Sequence, residues 1–151
     1  MKILSIVNQK GGVGKTTTSI NLAACLHKMK RKVLLIDLDP QSNATRGSGV
    51  DSATLQSSVN DVLLGRSSIE ETIVSSVHDG YDLLPATPAL TESEVSLVSK
   101  NNREFILKNT LEDISSNYDY ILMDCPPSLN ILTVNSLVSA TGVLIPVQCE
   151  F

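Results

Sequence analysis

The chain has 151 residues, a hydrophobic content of 42% and a formal net charge of −4. A domain of this length buries about 70% of its surface, so we expect one globular domain with a sizeable core. The apolar runs are shorter than the roughly 18 residues that a membrane span needs. The acidic balance disfavours a strong DNA-binding surface in this segment, since phosphate contacts require clustered Lys and Arg.

The first residues and the cysteines of the chain favour a location in the cytoplasm. The start of the chain becomes polar too early for a signal peptide and is better suited to be the first strand. Cys25, Cys125 and Cys149 show no metal or disulfide spacing, which favours a reducing cytoplasm. Because free cysteine is usually buried, we predict that all three are small core residues.

A glycine-rich loop lies between the first predicted strand, residues 2–7, and a predicted helix, residues 15–30. Residues 9–17 read Gln-Lys-Gly-Gly-Val-Gly-Lys-Thr-Thr. The usual phosphate-loop pattern is G-x-x-x-x-G-K-[ST], and Gln9 occupies its first glycine position. The order strand, glycine loop, helix is nevertheless the context that the motif requires. We therefore interpret the segment as a phosphate loop; the alternative is a glycine-rich turn that binds nothing.

The residue types of this loop suit a nucleoside triphosphate. Glycines let backbone N–H groups approach the phosphates closely, and the N-terminus of the following helix favours an anion. Lys15 is placed to bridge the β- and γ-phosphates, Thr16 to ligate Mg²⁺ and Thr17 to contact the α-phosphate. The predicted nucleotide-binding residues are Lys10, Gly11, Gly12, Val13, Gly14, Lys15, Thr16 and Thr17.

The helix over residues 15–30 carries an apolar stripe of Leu22, Leu26 and Met29. It ends in a basic segment, residues 28–32, where cations favourably meet the negative end of the helix dipole. A DNA contact is the alternative role for that segment.

Two apolar runs end in carboxylates. Residues 33–37 end at Asp37, with Asp39 two residues on, and a run within residues 118–128 ends at Asp124. Continuous apolar strands are expected in a parallel sheet covered on both faces, and ligands bind at the carboxyl ends of such strands. We predict that Asp124 and Asp37 support Mg²⁺ and that Asp39 orients or deprotonates the water that attacks the γ-phosphate. The alternative is that these acids are ordinary turn or strand-end residues.

The other segments alternate between helix and strand. Such alternation implies an α/β fold of the P-loop NTPase type, with a mostly parallel sheet, right-handed crossovers and helices on both faces. We predict a polar loop at 46–58, helices near 59–64, 68–75, 88–99, 102–117 and 130–140, and strands at 81–85, 119–124 and 142–147.

The last predicted strand, residues 142–147, looks like a core strand, and such a strand needs a covering helix. We therefore expect residues 1–151 to be a single domain truncated after this strand, the N-terminal part of a longer protein.

Three segments carry a family resemblance: residues 10–17, residues 37–45 and residues 121–128. They resemble the ParA/Soj partition ATPases, members of the deviant-Walker P-loop class that includes MinD, the nitrogenase iron protein and the arsenite-pump ATPase. The resemblance spans nearly the whole chain. It implies an ATP-dependent homodimer in which Lys10 reaches the phosphates of the partner's ATP; the alternative for Lys10 is a solvated loop lysine.

The resemblance also implies catalytic roles and partners. Lys10, Lys15 and Asp39 would be the catalytic residues, and ATP and Mg²⁺ the cofactors. A ParB-like protein would trigger hydrolysis, and nonspecific DNA would bind chiefly to a later part of the chain, placing the protein on the nucleoid. No basic amphipathic stretch predicts membrane binding. The implied function is a switch for chromosome or plasmid partitioning; the alternatives are a metabolic P-loop ligase or kinase and a non-hydrolysing nucleotide-binding fragment.

Overall fold

The computed structural model of the chain describes residues 1–77 and 80–149. Its described part contains one six-stranded sheet in the order β3-β4-β2-β5-β1-β6, in which β3 and β4 are antiparallel and all other neighbours are parallel. The strands are β1 (Lys2–Ile6), β2 (Val33–Asp37), β3 (Val74–Val77), β4 (Tyr81–Leu84), β5 (Tyr120–Asp124) and β6 (Gly142–Leu144).

Helices cover both faces of this sheet. The α-helices of the described residues are α1 (Lys15–Lys28), α2 (Asn43–Gly47), α3 (Val59–Leu63), α4 (Ile69–Thr72), α5 (Leu90–Ser96), α6 (Ile106–Glu112) and α7 (Ile131–Ser139). On one face α1 and α2 pack on a cluster that includes Leu35 and Leu122. On the other face α3 to α7 pack on a cluster that includes Leu34 and Ile121. The predicted α/β fold with a mostly parallel, doubly covered sheet is confirmed.

Strand β2 shows why the two faces form. All five of its residues are buried, and successive side chains point to opposite faces of the sheet. Leu34 and Leu35 therefore contribute to different cores, and burying each leucine stabilises the fold by about 1.5–3 kcal/mol. The polar end of the strand, Asp37, emerges at the carboxyl edge of the sheet.

The segment from residue 68 to 75, predicted as one helix, divides into α4 and β3. Ser68 caps α4 by accepting a hydrogen bond from the Glu71 N–H (3.2 Å). The helix ends at Thr72, and Val74 begins a strand that pairs antiparallel with β4. The β-branched side chains of Ile73 and Val74 favour an extended chain, and a partner strand is available, so the strand replaces the predicted helical turn.

Other predicted boundaries also differ. The segment predicted as one helix over 102–117 contains α6 between two 3₁₀ turns, Arg103–Phe105 and Ser115–Asn117. The loop predicted over 46–58 includes the end of α2 and a 3₁₀ turn at Ser52–Thr54, where Asp51 accepts a hydrogen bond from the Ala53 N–H.

The strand predicted over 142–147 is shorter and lies at the sheet edge rather than in the core. It ends at Leu144, and Ile145 is 60% exposed. Among the described strands, β6 pairs with β1 alone.

The predicted apolar stripe of α1 is wrong for Met29 and holds for Leu22 and Leu26, which are partly buried against the core. Met29 is 68% exposed, while the residues of α1 that are buried are Lys15, Ser19, Ala23 and Ala24. Small side chains let this helix lie close to the sheet, and Leu22 and Leu26 pack at the margin of the core. The cysteine prediction holds for Cys125 alone, because Cys25 and Cys149 are exposed.

Candidate functional site

The glycine loop runs from the end of β1 to the start of α1. Gly12 and Gly14 have φ values of +72° and +90°, a conformation that residues with a Cβ rarely adopt. A Cβ at either position would meet no atom within 4 Å, so backbone conformation and not crowding requires glycine there. Gly14 is the N-cap of α1, and its carbonyl accepts the Thr18 N–H (2.9 Å).

A cavity of about 410 Å³ lies against this loop at the carboxyl edge of the sheet. The first N–H groups of a helix have no partner within the helix and carry its positive dipole end, so the start of α1 gives the cavity an anion-binding wall. The lining comprises loop residues Gly11, Gly12 and Gly14, the first residues of α1, and Asp39, Gln41, Asn43 and Pro127.

The two predicted lysines meet across the loop. Lys15 is buried, and its Nζ donates a hydrogen bond to the backbone carbonyl of Lys10 (3.2 Å). The Lys10 side chain is exposed, and its backbone N–H is bound by the Asn8 side chain (2.9 Å). Lys15 lines the cavity, whereas Lys10 is exposed and is not among the residues that line it.

The two predicted metal residues Thr16 and Asp124 are in direct contact. Asp124 ends β5, is fully buried, and accepts a hydrogen bond from the Thr16 hydroxyl (2.7 Å). The Ser19 hydroxyl lies 2.8 Å from the other Asp124 oxygen and 2.8 Å from the Lys15 carbonyl. Burial raises the pKa of Asp124, and the hydrogen bonds from Thr16 and Ser19 oppose that rise.

The sequence reasoning missed Ser19. Its signal is the spacing of four residues from Lys15, which puts both side chains on the same face of α1. A small hydroxyl on the buried face of a helix needs a polar partner, and the carboxylate at the end of β5 supplies it.

Asp37 lies beside Asp124 but uses its oxygens within its own segment. The two residues are register partners across β2 and β5. One Asp37 oxygen accepts the Asp39 N–H (3.0 Å), and the other accepts both the N–H (2.8 Å) and the hydroxyl (2.7 Å) of Thr45. Burial raises the pKa of Asp37 to about 7, against the effect of these bonds. This geometry does not favour the predicted role of Asp37 as a metal ligand.

Asp39 reaches the cavity from the other side. It is 8% exposed, lines the cavity and accepts the Gln41 N–H (2.9 Å) on Oδ1. Burial is the main cause that raises the pKa of Glu94 on α5, and the negative charge of Asp39 raises it further. The charge of Asp39 also adds to the rise in the pKa of Asp124. Asp39 thus repels both the buried Asp124 and the partly buried Glu94 at this edge of the sheet.

This donor set suits Mg²⁺. In the described part of the chain, no group of three or more His, Cys, Asp or Glu side chains forms a complete metal cage. Magnesium is usually held by one or two carboxylates together with substrate phosphates. The hydroxyl of Thr16 and the carboxylate of Asp124 provide such a partial set next to an anion-binding loop.

Two further loop residues, Val13 and Gln9, are not among the residues that line the cavity. Val13 is buried in the core beneath the loop, and Gln9 lines a separate, largely apolar cavity of about 330 Å³ with Leu129 and Ile145. Thr17, in contrast, lines the main cavity.

The basic segment lies at the opposite edge of the sheet. A cavity of about 520 Å³ there is lined by His27, Lys30, Arg31 and Lys32 and also by Asp82, which accepts the hydrogen bond of the Tyr118 hydroxyl (2.8 Å). It is larger than the cavity at the glycine loop, but within the described part of the chain neither a helix N-terminus nor a glycine loop lines it. We therefore place the functional site at the carboxyl edge.

No helix within residues 1–77 and 80–149 has the length and apolar character to cross a bilayer. A strand, a glycine loop and a helix carrying Lys-Thr, with a carboxylate at the end of the adjacent strand, define the fold of a P-loop NTPase.

Comparison with known proteins identifies the family. The model of the AAA domain family matches residues 1–151. An uncharacterized protein of Pseudomonas putida is 57% identical over 99% of this chain and 57% of its own length. The sporulation initiation inhibitor protein Soj of Bacillus subtilis is 49% identical over 99% of this chain and 59% of its own length. The chromosome partitioning protein ParA of Myxococcus xanthus is 48% identical over 99% of this chain and 53% of its own length.

The chain belongs to the AAA domain family, and its predicted membership of the ParA/Soj group is confirmed. It spans somewhat more than half the length of the curated relatives it matches.

Solved structures agree with this fold. Cobyrinic acid a,c-diamide synthase of Mycobacterium smegmatis, with bound ATP analogue and magnesium, has a TM-score of 0.97 and 42% identity, covering 100% of this chain and 62% of that one. A plasmid partition protein of Borrelia burgdorferi bound to AMPPNP has a TM-score of 0.83 and 34% identity, covering 96% of this chain and 60% of that one.

Proposed function

We propose that the chain binds ATP with Mg²⁺ at the glycine loop and hydrolyses it as part of a DNA-partitioning switch. The observation that carries the proposal is the 2.7 Å contact between Thr16 and Asp124 beside the cavity that Lys15 and Asp39 line. This contact joins the start of α1 to the end of β5, where a phosphate loop needs its metal-supporting carboxylate.

Each side chain has a chemical role in this proposal. Lys15 binds the β- and γ-phosphates, and Thr16 and Asp124 hold Mg²⁺. When bound, Mg²⁺ neutralises charge on the phosphate oxygens. Asp39 orients the attacking water and accepts its proton. Asp37 was predicted as a further metal ligand; its hydrogen bonds favour a role inside its own segment.

The switch itself requires a second subunit. Lys10 is exposed in the loop, which suits a cation that completes the site of a partner subunit, as an arginine finger does. In the proposal, ATP drives homodimerisation, nonspecific DNA binds the dimer and a ParB-like protein triggers hydrolysis in the cytoplasm, on the nucleoid. The named relatives Soj and ParA support this assignment.

A second candidate is a metabolic enzyme that uses the same pocket. Its support is the TM-score of 0.97 with cobyrinic acid a,c-diamide synthase. That function predicts ATP turnover that depends on a small-molecule acceptor and is independent of DNA. A third candidate, a nucleotide-binding module without hydrolysis, predicts equal negligible turnover in the natural protein and in Asp39→Ala.

The deciding experiment measures ATP hydrolysis by the natural full-length protein, alone and with DNA plus a ParB-like partner. We expect DNA and partner together to accelerate turnover. Asp39→Ala should lower kcat by about 100-fold or more, the usual loss for a general base, with little change in ATP affinity. Asp113→Ala, an exposed acid at the end of α6, is the matched control and should behave like wild type.

Turnover that ignores DNA and partner but needs a small-molecule acceptor would replace the partition function with the metabolic one. Undiminished hydrolysis in Asp39→Ala would contradict the role of Asp39.

A further inference from the structure

Asp37 holds the segment that carries Asp39. Its side chain is fully buried at the end of β2, and its Oδ1 accepts the backbone N–H of Asp39 (3.0 Å). The backbone at Asp39 is thereby fixed relative to the sheet edge.

Thr45, on α2, connects this carboxylate to the segment that follows β4. Its hydroxyl donates to Asp37 Oδ2 (2.7 Å) and accepts the N–H of Ala86 (2.9 Å), two residues beyond the end of β4. Because the hydroxyl both donates and accepts, it ties the ends of β2 and β4 together through one fully buried atom. Thr45 is absent from the cavity lining, so it can reach the cavity only through other residues.

We infer that Thr45 is a positioning residue for hydrolysis, acting through Asp37 to hold Asp39 at the nucleotide cavity. The inference rests on the proposed function and deepens it. Three links carry it: Ala86 to Thr45, Thr45 to Asp37, and Asp37 to the Asp39 backbone, each at 3.0 Å or less. Misplacing a catalytic group by about 1 Å can cost 100-fold in rate, so small shifts along this chain of bonds matter.

The test compares variants of the natural full-length protein for kcat, ATP affinity and thermal unfolding. Thr45→Val removes the hydroxyl and keeps the shape, and it should lower kcat by about tenfold or more while the dissociation constant for ATP changes by less than about threefold. Thr45→Ser restores the hydroxyl and should recover most of the rate.

A matched control separates positioning from stability. Thr72 is also buried, and its hydroxyl donates to the Ser68 carbonyl (2.8 Å) and accepts from the Ser57 hydroxyl (3.2 Å), away from the nucleotide cavity. Thr72→Val should lower the unfolding temperature as Thr45→Val does, and it should leave kcat unchanged. If Thr45→Val does not fold, Thr45→Ala takes its place in the series.

A double-mutant cycle completes the test. If Thr45 acts through Asp39, Thr45→Val should cause no further loss of rate in the Asp39→Ala background, because coupled residues are not additive. Wild-type kcat in Thr45→Val, equal losses in Thr45→Val and Thr45→Ser, or additive losses in the double variant would each overturn the inference. Absence of hydrolysis in the wild-type protein would instead refute the proposed function.

Discussion

Individual side chains at the site act mainly through hydrogen bonds to buried carboxylates. Asp124 is fully buried, yet both of its oxygens have a hydroxyl within 2.8 Å, from Thr16 and from Ser19. A buried carboxylate without such partners would be costly. Ser19 therefore has a role at this site that its position on a helix would not by itself suggest.

Ser19→Ala tests this role. The variant removes the hydroxyl that donates a hydrogen bond to one oxygen of Asp124. We expect the free energy of unfolding to fall by about 1–2 kcal/mol. The loss is less than that of a full hydrogen bond to a carboxylate, because alanine favours the helix more than serine does. Chemical denaturation measures the change.

Ser139→Ala is the control for this prediction. Ser139 is also buried, and its hydroxyl donates to the carbonyl four residues earlier, Asn135 (2.7 Å); the Ser19 hydroxyl lies at a similar distance from the Lys15 carbonyl (2.8 Å). We expect a change below about 0.5 kcal/mol, since a backbone bond of this kind is nearly neutral in a helix. Equal losses in both variants would contradict the special role of Ser19.

At the scale of secondary-structure elements, the helices on one face are linked by polar as well as apolar contacts. Glu92 on α5 forms a two-pronged ion pair with Arg66, which follows α3, at 2.6 and 2.9 Å. Asn60 of α3 donates to the same carboxylate (3.1 Å) and accepts from Ser93 (2.6 Å). The bonds from Arg66 and Asn60 lower the pKa of Glu92 from 4.5 to about 2.

This shift predicts a pH dependence of stability. Because the pKa of Glu92 is lower in the folded chain, its contribution to stability is complete above pH 4.5 and is lost as the pH falls towards 2. The free energy of unfolding of Glu92→Gln should therefore be lower than that of wild type at pH 5, and this difference should shrink as the pH falls towards 2. The effect should be small and should shrink in high salt, since the pair is exposed.

Glu112→Gln, an exposed position at the end of α6, provides the comparison for acid titration. A Glu92→Gln deficit that stays constant from pH 5 to pH 2 would contradict a lowered pKa of Glu92.

For the whole molecule, the sequence predicted the elements whose signals are local. Local sequence patterns predicted the buried run at β2, the glycine loop and the acids at the strand ends, because strand periodicity and loop composition depend on neighbouring residues. The antiparallel strand β3 was missed, because its extended conformation depends on pairing with β4. Ile145 was predicted to lie in a core strand, but β6 ends at Leu144 and Ile145 is 60% exposed.

At the site, too, the residues in local motifs were predicted and those that depend on tertiary contacts were missed. Lys15, Thr16 and Asp39 follow from motifs, and the structure brings them to one cavity. Ser19 and Thr45 were missed because serine and threonine are common on helices, and only the tertiary fold reveals the buried carboxylate that each one binds. Asp37 was predicted as a metal ligand from its place at a strand end, and its hydrogen bonds to Asp39 and Thr45 became visible only in the fold.

The central claim is that the glycine loop binds ATP with Mg²⁺, and isothermal titration of the protein with ATP tests it most directly. We predict saturable binding that weakens by about tenfold or more in Lys15→Ala, the loss expected for a charged hydrogen bond to phosphate, and that weakens when Mg²⁺ is removed by chelation. Lys108→Ala, an exposed lysine on α6, should bind as wild type does. No binding by the wild-type protein, or equal affinity in Lys15→Ala, would contradict the account.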